Sequence, residues 1–134
     1  MDICIKKTKH KGRGVFARKN FKKGEIIEVC PVIILSKKDT KNIDKTKLYD
    51  YYFEWDEKSG ENAIVLGCGS MYNHSYESNA TFKKDKAKKC FNFVAVKDIR
   101  RGEEITINYN GEASSKLVWF DKKPYVMLKK HRVL

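Results

Sequence analysis

The sequence has little that would staple the chain, span a membrane or divide it into parts. Among its 134 residues are only two prolines and four cysteines. Pro31 and Pro124 stand apart, and no low-complexity stretch separates one half from the other, so a single domain around one core is expected. Cys4, Cys30, Cys68 and Cys90 lie at least 22 residues from one another. That spacing lacks the close pairs that clamp zinc, so no metal is expected, and each thiol reads as a small buried apolar group in a reducing compartment. No apolar run approaches the roughly 20 residues needed to cross a bilayer. No apolar stretch follows Lys6, Lys7, Lys9 and Lys11 either, so a secretory signal is not expected. The expected location is intracellular: cytoplasmic or, in a eukaryotic host, nuclear.

Acidic residues are scarce as well. Asp and Glu number 17 against 29 Lys and Arg, leaving a formal charge of +12. This balance favours anionic partners such as nucleic acid, acidic protein segments or chromatin-like assemblies. Lysine far outnumbers arginine. An ammonium lacks the bidentate fork that reads base edges, so the charge argues for backbone contacts over sequence-specific DNA recognition.

What is present is a succession of short β-branched and aromatic runs. Strands are expected at 3–6, 14–18, 26–30, 32–35, 51–55, 63–66, 80–83, 91–96 and 104–108, which makes the chain mostly β. Helix is expected only around 44–50, with Asp44 as a cap, and near 69–72 and 113–120. The charged stretch 84–89 suits a hairpin tip. One internal similarity stands out: Lys19-Asn20-Phe21-Lys22-Lys23-Gly24-Glu25 against Lys97-Asp98-Ile99-Arg100-Arg101-Gly102-Glu103. Each copy runs from an Asx residue through a basic pair to a glycine that can take positive φ, and then into a strand. Two similar reverse turns are expected.

Three segments carry polar groups suited to chemistry. Asn73-His74-Ser75, with Asn79 behind it, follows the apolar Ile64-Val65-Leu66 and two glycines. Ser75 beside His74 does not make a hydrolase, because there is no nucleophile elbow and no evident third member. Lys11-Gly12-Arg13-Gly14 lets backbone approach a ligand, yet it lacks the third glycine of a dinucleotide loop and the Gly-Lys-Ser/Thr of a phosphate loop. Glu104 to Tyr109 is a strand that ends in a phenol.

In this order and spacing the segments resemble the SET domain of protein-lysine methyltransferases over roughly residues 1–112, and the likeness is greatest to its minimal viral and bacterial members. The matching pieces are Gly12-Arg13-Gly14-Val15-Phe16-Ala17, Asp50-Tyr51-Tyr52-Phe53, Asn73-His74-Ser75 with Asn79, and Gly102-Glu103-Glu104-Ile105 through Asn108-Tyr109. The resemblance implies a mostly-β fold of several small twisted sheets with short helices and a threaded active-site crossing. It implies S-adenosylmethionine as methyl donor, and a lysine of a protein substrate, such as a histone or another nucleic-acid-associated protein, as acceptor. A homodimer is compatible with it. The rival reading keeps the fold without catalysis, as a basic module that binds nucleic acid or an acidic protein.

Residue by residue, the resemblance places Tyr109 beside the transferred methyl as the catalytic residue. Lys11, Gly12, Arg13 and Gly14 would line the methionine part of the cofactor. Asn73 would contact it through its side chain and His74 through its backbone, with Tyr51 beside the cofactor or the lysine channel. The family's zinc-binding cysteine lid has no counterpart after Cys90, so Trp119 and Phe120, in a tail over 113–134, are the candidate covers for the adenine. Asn108 replaces the family's usual Asp, and Phe82 and Ile107 lie where related enzymes differ in how many methyls they add. Displacement at a sulfonium methyl needs mainly an aligned, neutral amine. Aromatic walls favour that by desolvating the ammonium. A phenol titrating near 10 is a poor base at neutral pH, which assigns Tyr109 to orientation before proton abstraction.

Overall fold

The computed structural model describes residues 1–111. Nine strands follow in order: β1 (Ile3–Lys7), β2 (Arg13–Ala17), β3 (Ile26–Leu35), β4 (Phe53–Asp56), β5 (Glu61–Val65), β6 (Asn73–His74), β7 (Ala80–Asp85), β8 (Cys90–Ala95) and β9 (Glu104–Ile107). One α-helix, α1 (Lys37–Ile43), and two 3-10 turns, Lys47–Asp50 and Gly69–Met71, lie between them. The strands join in the order β1-β2-β9-β7-β8-β3-β5-β4, with β6 laid against β9. The mostly-β expectation therefore holds.

Pro31 explains how one long strand replaces the two expected at 26–30 and 32–35. Residues Ile26 to Pro31 pair with β8, and Val32 to Leu35 pair with β5. Proline has no N–H to give to a ladder, and here it stands where the strand changes partners. Its carbonyl accepts from Leu66 N–H at 2.9 Å.

Below the sheet, alternate residues meet in an aromatic core. Phe53, Phe91 and Phe93 are fully buried, and Phe82 and Trp55 nearly so. Phe53 meets Phe82 and Phe91 edge-on, with centroids 5.4 and 5.3 Å apart, while Tyr72 stacks on Phe93 at 4.4 Å. Edge and offset pairs of this kind add about 0.5–1.5 kcal/mol each beyond their area. Cys30 and Cys68 belong to this core, Cys90 is buried, and Cys4 is partly covered.

The helix corrects the expectation for 44–50. It begins earlier, because Ser36 and Asp39 form a reciprocal capping box, and Asp44 caps its C-terminal end instead of opening it. Asp44 also accepts from the buried Tyr52 hydroxyl at 2.7 Å. The stretch 47–50 is a 3-10 turn capped by Thr46. The hairpin tip expected at 84–89 joins β7 to β8, with Lys89 at φ 51. The expected helix at 113–120 lies outside the described residues, as does the tail 113–134.

The two similar segments pair with each other. Phe21 and Ile99 exchange both backbone hydrogen bonds at 2.8 Å. Asp98 accepts from Lys23 N–H and Asn20 from Arg101 N–H, each at 2.8 Å. Glu25 and Glu103 each accept from the N–H three residues earlier, at 3.1 Å. Gly24 and Gly102 hold φ of +89 and +92. The result is a local two-fold whose arms enter β3 and β9.

Candidate active site

β9 lies between β2 and the pair β6 and β7. Asn73 and His74 run parallel to Thr106 and Ile107, and Ala80 pairs with Ile107 from the same side. Beyond β9 the chain turns across the segment 72–74. Tyr109 N–H donates to His74 Nδ1 at 3.0 Å, and its hydroxyl donates to the Tyr72 carbonyl at 2.8 Å. The Tyr109 ring lies 5.1 Å from that of His74 and is 4% exposed. The crossing implied by the resemblance is thus made by two buried hydrogen bonds from one residue. His74 contributes its side chain here, and an Nδ1 that accepts from Tyr109 is not free to act as a base.

A cavity of about 960 Å³ opens beside this crossing. Lys11, Gly12 and Arg13 line it from the β1–β2 turn, Asp50 and Tyr51 from one edge, and Ser70 and Met71 from the 3-10 turn. Ile5, Lys6, Lys7 and His10 line it from β1 and the residues after it, and Asn73, His74 and Tyr109 from the crossing. Thr8 holds the turn by donating to the Gly12 carbonyl from both its amide and its hydroxyl, and Gly12 sits at φ +72. Tyr51 is 38% exposed and follows the 3-10 turn; the strand expected from 51 begins at Phe53. Gly14 lies under the wall and not among the lining residues. A Cβ there would collide with the Glu104 carboxylate and stand 2.7 Å from the Asn73 amide. Trp119 and Phe120 lie outside the described residues.

Glu104 stands in the matched motif, but the resemblance assigns it no role there. Its Oε2 accepts from Asn73 Nδ2 at 2.8 Å, and its Oε1 lies 3.7 Å from Lys11 Nζ. Asn73 also donates to the Arg13 carbonyl at 3.0 Å, so the amide ties β2, β6 and β9 together. The signal was in the sequence: the turn repeat assigns Glu103, like Glu25, to its own turn, which leaves Glu104 as the extra carboxylate. Asn79 braces the same strand from behind, accepting from Thr106 N–H and donating to the Glu104 carbonyl, both at 2.9 Å. Tyr72 was also missed. Its burial, and then the Glu28 carboxylate beside it, push its phenol far above the ordinary range, so it stays a hydrogen-bond donor.

Comparison with known proteins agrees with this architecture. A family model described as the SET domain matches residues 12–110. A Schizosaccharomyces pombe protein named histone-lysine N-methyltransferase, H3 lysine-37 specific, is 33% identical over 118 residues, covering 87% of this chain and 76% of its own length. A Plasmodium falciparum structure assigned as a histone methyltransferase superposes with TM-score 0.65 at 30% identity, covering 83% of this chain and 95% of its own. The Chaetomium thermophilum Polycomb Repressive Complex 2 bound to S-adenosylmethionine shares the fold, with TM-score 0.71 at 21% identity over 84% of this chain and 16% of that one.

Fold and family together define an S-adenosylmethionine-dependent methyltransferase that acts on protein lysine. The chain belongs to the SET-domain family. The cavity suits the methyl donor in size, since cofactor sites commonly enclose about 300–1,000 Å³. Its chemistry suits it too. Lys11 and Arg13 offer cations to a carboxylate, Asp50 offers an anion to an ammonium, and no atom occupies the space that a side chain on Gly12 would take.

Proposed function

We propose that this enzyme methylates a lysine of a histone or another nucleic-acid-associated protein, with Tyr109 as its catalytic residue. The observation that carries the assignment is the position of Tyr109: at the cavity wall, fixed at both its amide and its hydroxyl by the 72–74 segment. In this reading Lys11, Gly12, Arg13, Gly14, Tyr51, Asn73 and His74 hold the cofactor, Gly14 by leaving room for the Asn73–Glu104 contact. S-adenosylmethionine supplies an electrophilic methyl group on a sulfonium. The protein's part is alignment and desolvation. The Tyr51 and Tyr109 rings wall the approach of the lysine amine, favour loss of its proton, and keep water from the reacting carbon. The histone reading draws on the name of the S. pombe relative and on the net charge of +12, which suits a substrate presented beside nucleic acid.

The test is transfer of labelled methyl from S-adenosylmethionine to free histones and to nucleosomes. Tyr109→Phe should lower kcat by about a hundredfold while cofactor affinity stays within about twofold. Unchanged turnover would remove Tyr109 from the catalytic role. Methylation of neither histones nor nucleosomes would remove the proposed substrate.

A further inference from the structure

The carbonyl that receives the Tyr109 hydroxyl belongs to Tyr72, at the end of the turn Gly69–Met71 that leads from β5 into β6. That turn has no side-chain cap of its own. It is held from β3. Glu28 Oε2 accepts from Cys68 N–H at 2.9 Å, at the entry to the turn, and Oε1 accepts from the Tyr72 hydroxyl at 2.9 Å, at its exit. Room for the carboxylate exists only because residue 67 is glycine, at φ +65, where a Cβ would lie 2.5 Å from Oε2. The Tyr72 ring is fully buried and stacked on Phe93, so the hydroxyl cannot swing away from Glu28 without leaving the core. Glu28 itself lies outside the cavity lining.

We infer that Glu28 is a positioning residue for methyl transfer: it spans the 68–72 turn with its two oxygens and so sets the Tyr72 carbonyl against which Tyr109 is oriented. This rests on the catalytic reading of Tyr109. A carboxylate suits both partners at once, because the Cys68 amide can only donate and the Tyr72 hydroxyl here gives its proton to the second oxygen. Glutamine keeps the volume but offers a single acceptor oxygen; with that oxygen on the Cys68 amide, the Tyr72 hydroxyl must reverse to accept from the NH2 and its proton loses the partner it has in Glu28. That displaces the turn slightly, and small misplacements at a site built on alignment are expensive in rate.

The experiment is a double-mutant cycle in kcat between Glu28→Gln and Tyr109→Phe, read by steady-state methyl transfer to histone. Glu28→Gln alone should lower kcat on the order of tenfold with KM for S-adenosylmethionine changed less than about twofold; in the Tyr109→Phe background it should cost less than about twofold. Tyr72→Phe, which removes only the hydroxyl and keeps the ring on Phe93, should lower kcat in the same direction and be non-additive with Glu28→Gln. An additive tenfold loss in the Tyr109→Phe background, or a loss confined to KM, would overturn the positioning role while leaving the site reading intact. Unchanged turnover in Tyr109→Phe alone would instead sink that reading. If Glu28→Gln does not fold, Tyr72→Phe carries the same cycle, and wild-type kcat in that variant overturns the inference.

Discussion

At the paired turns Asn20 reaches Arg101 across 81 residues of sequence, and at the crossing His74 reaches Tyr109 across 35. Both contacts join distant chain segments through a side-chain acceptor and a backbone amide. Their settings differ. The turn contacts are exposed and repeated by symmetry, so water can replace any one of them. The crossing contacts are buried and asymmetric, and water cannot reach the groups they satisfy. An exposed hydrogen bond is worth little net, whereas a buried one stripped of its partner leaves a desolvated group at full cost. The molecule therefore joins its two similar turns with replaceable side-chain contacts and makes the crossing at Tyr109 with irreplaceable ones.

The contrast is sharpest at Asn79, which satisfies Thr106 N–H in the interior and the Glu104 carbonyl beside the site. Asn79→Ala should cost about 2–3 kcal/mol of unfolding free energy, the scale of stranded buried polar groups. Urea denaturation measures this, and a loss below about 1 kcal/mol would erase the distinction between the two regions. Gly24 and Gly102 probe the other region, because each holds positive φ with open space where a side chain would go. Gly24→Ala and Gly102→Ala should each cost about 1 kcal/mol and by equal amounts. Unequal losses in the same denaturation assay would break the two-fold equivalence of the turns.

The smallest expected effect is electrostatic. Glu25 titrates below its ordinary value, first through the hydrogen bond from Lys19. Asp39 does so through the Ser36 amide, and Asp56 through the Lys58 amide. A lowered folded-state pKa stabilises the fold above the unfolded value of roughly 4, and that stability is lost as pH falls through the folded values. The urea midpoint should thus hold near neutral pH and decline below about pH 4. Combining Glu25→Gln, Asp39→Asn and Asp56→Asn should flatten that decline, and an unchanged acid limb would exclude these three groups as its source.

Much of the fold was legible because local pattern and final structure agree. The alternation in 90–95, the Asx-basic-basic-Gly turns and the charged tip at 84–89 each state their own conformation. The helix was misplaced because Ser36-Lys37-Lys38-Asp39 signals a start inside a lysine-rich stretch, while Asp44, a good N-cap residue, points to the wrong terminus. Tyr51 looked like part of a strand because it is aromatic beside aromatics; the 3-10 turn before it delays the ladder by two residues. Asn73, His74 and Tyr109 could be picked out by motif, and Glu104 by subtraction against the turn repeat. Glu28 could not, because one Glu in an alternating strand looks like any solvent-facing residue until its partners are known.

The sequence by itself determined the strand-rich class, the paired turns, the family and the residue types gathered at the cavity, since these depend on neighbours a few positions apart. Only the tertiary structure decided which Glu meets Asn73, that His74 serves Tyr109 through Nδ1, and that Glu28 spans the turn leading to Tyr72. Those contacts join residues 31 to 44 positions apart. Such contacts exist only after the strands have paired and excluded water, when a buried donor must find whichever acceptor the packing has brought within reach.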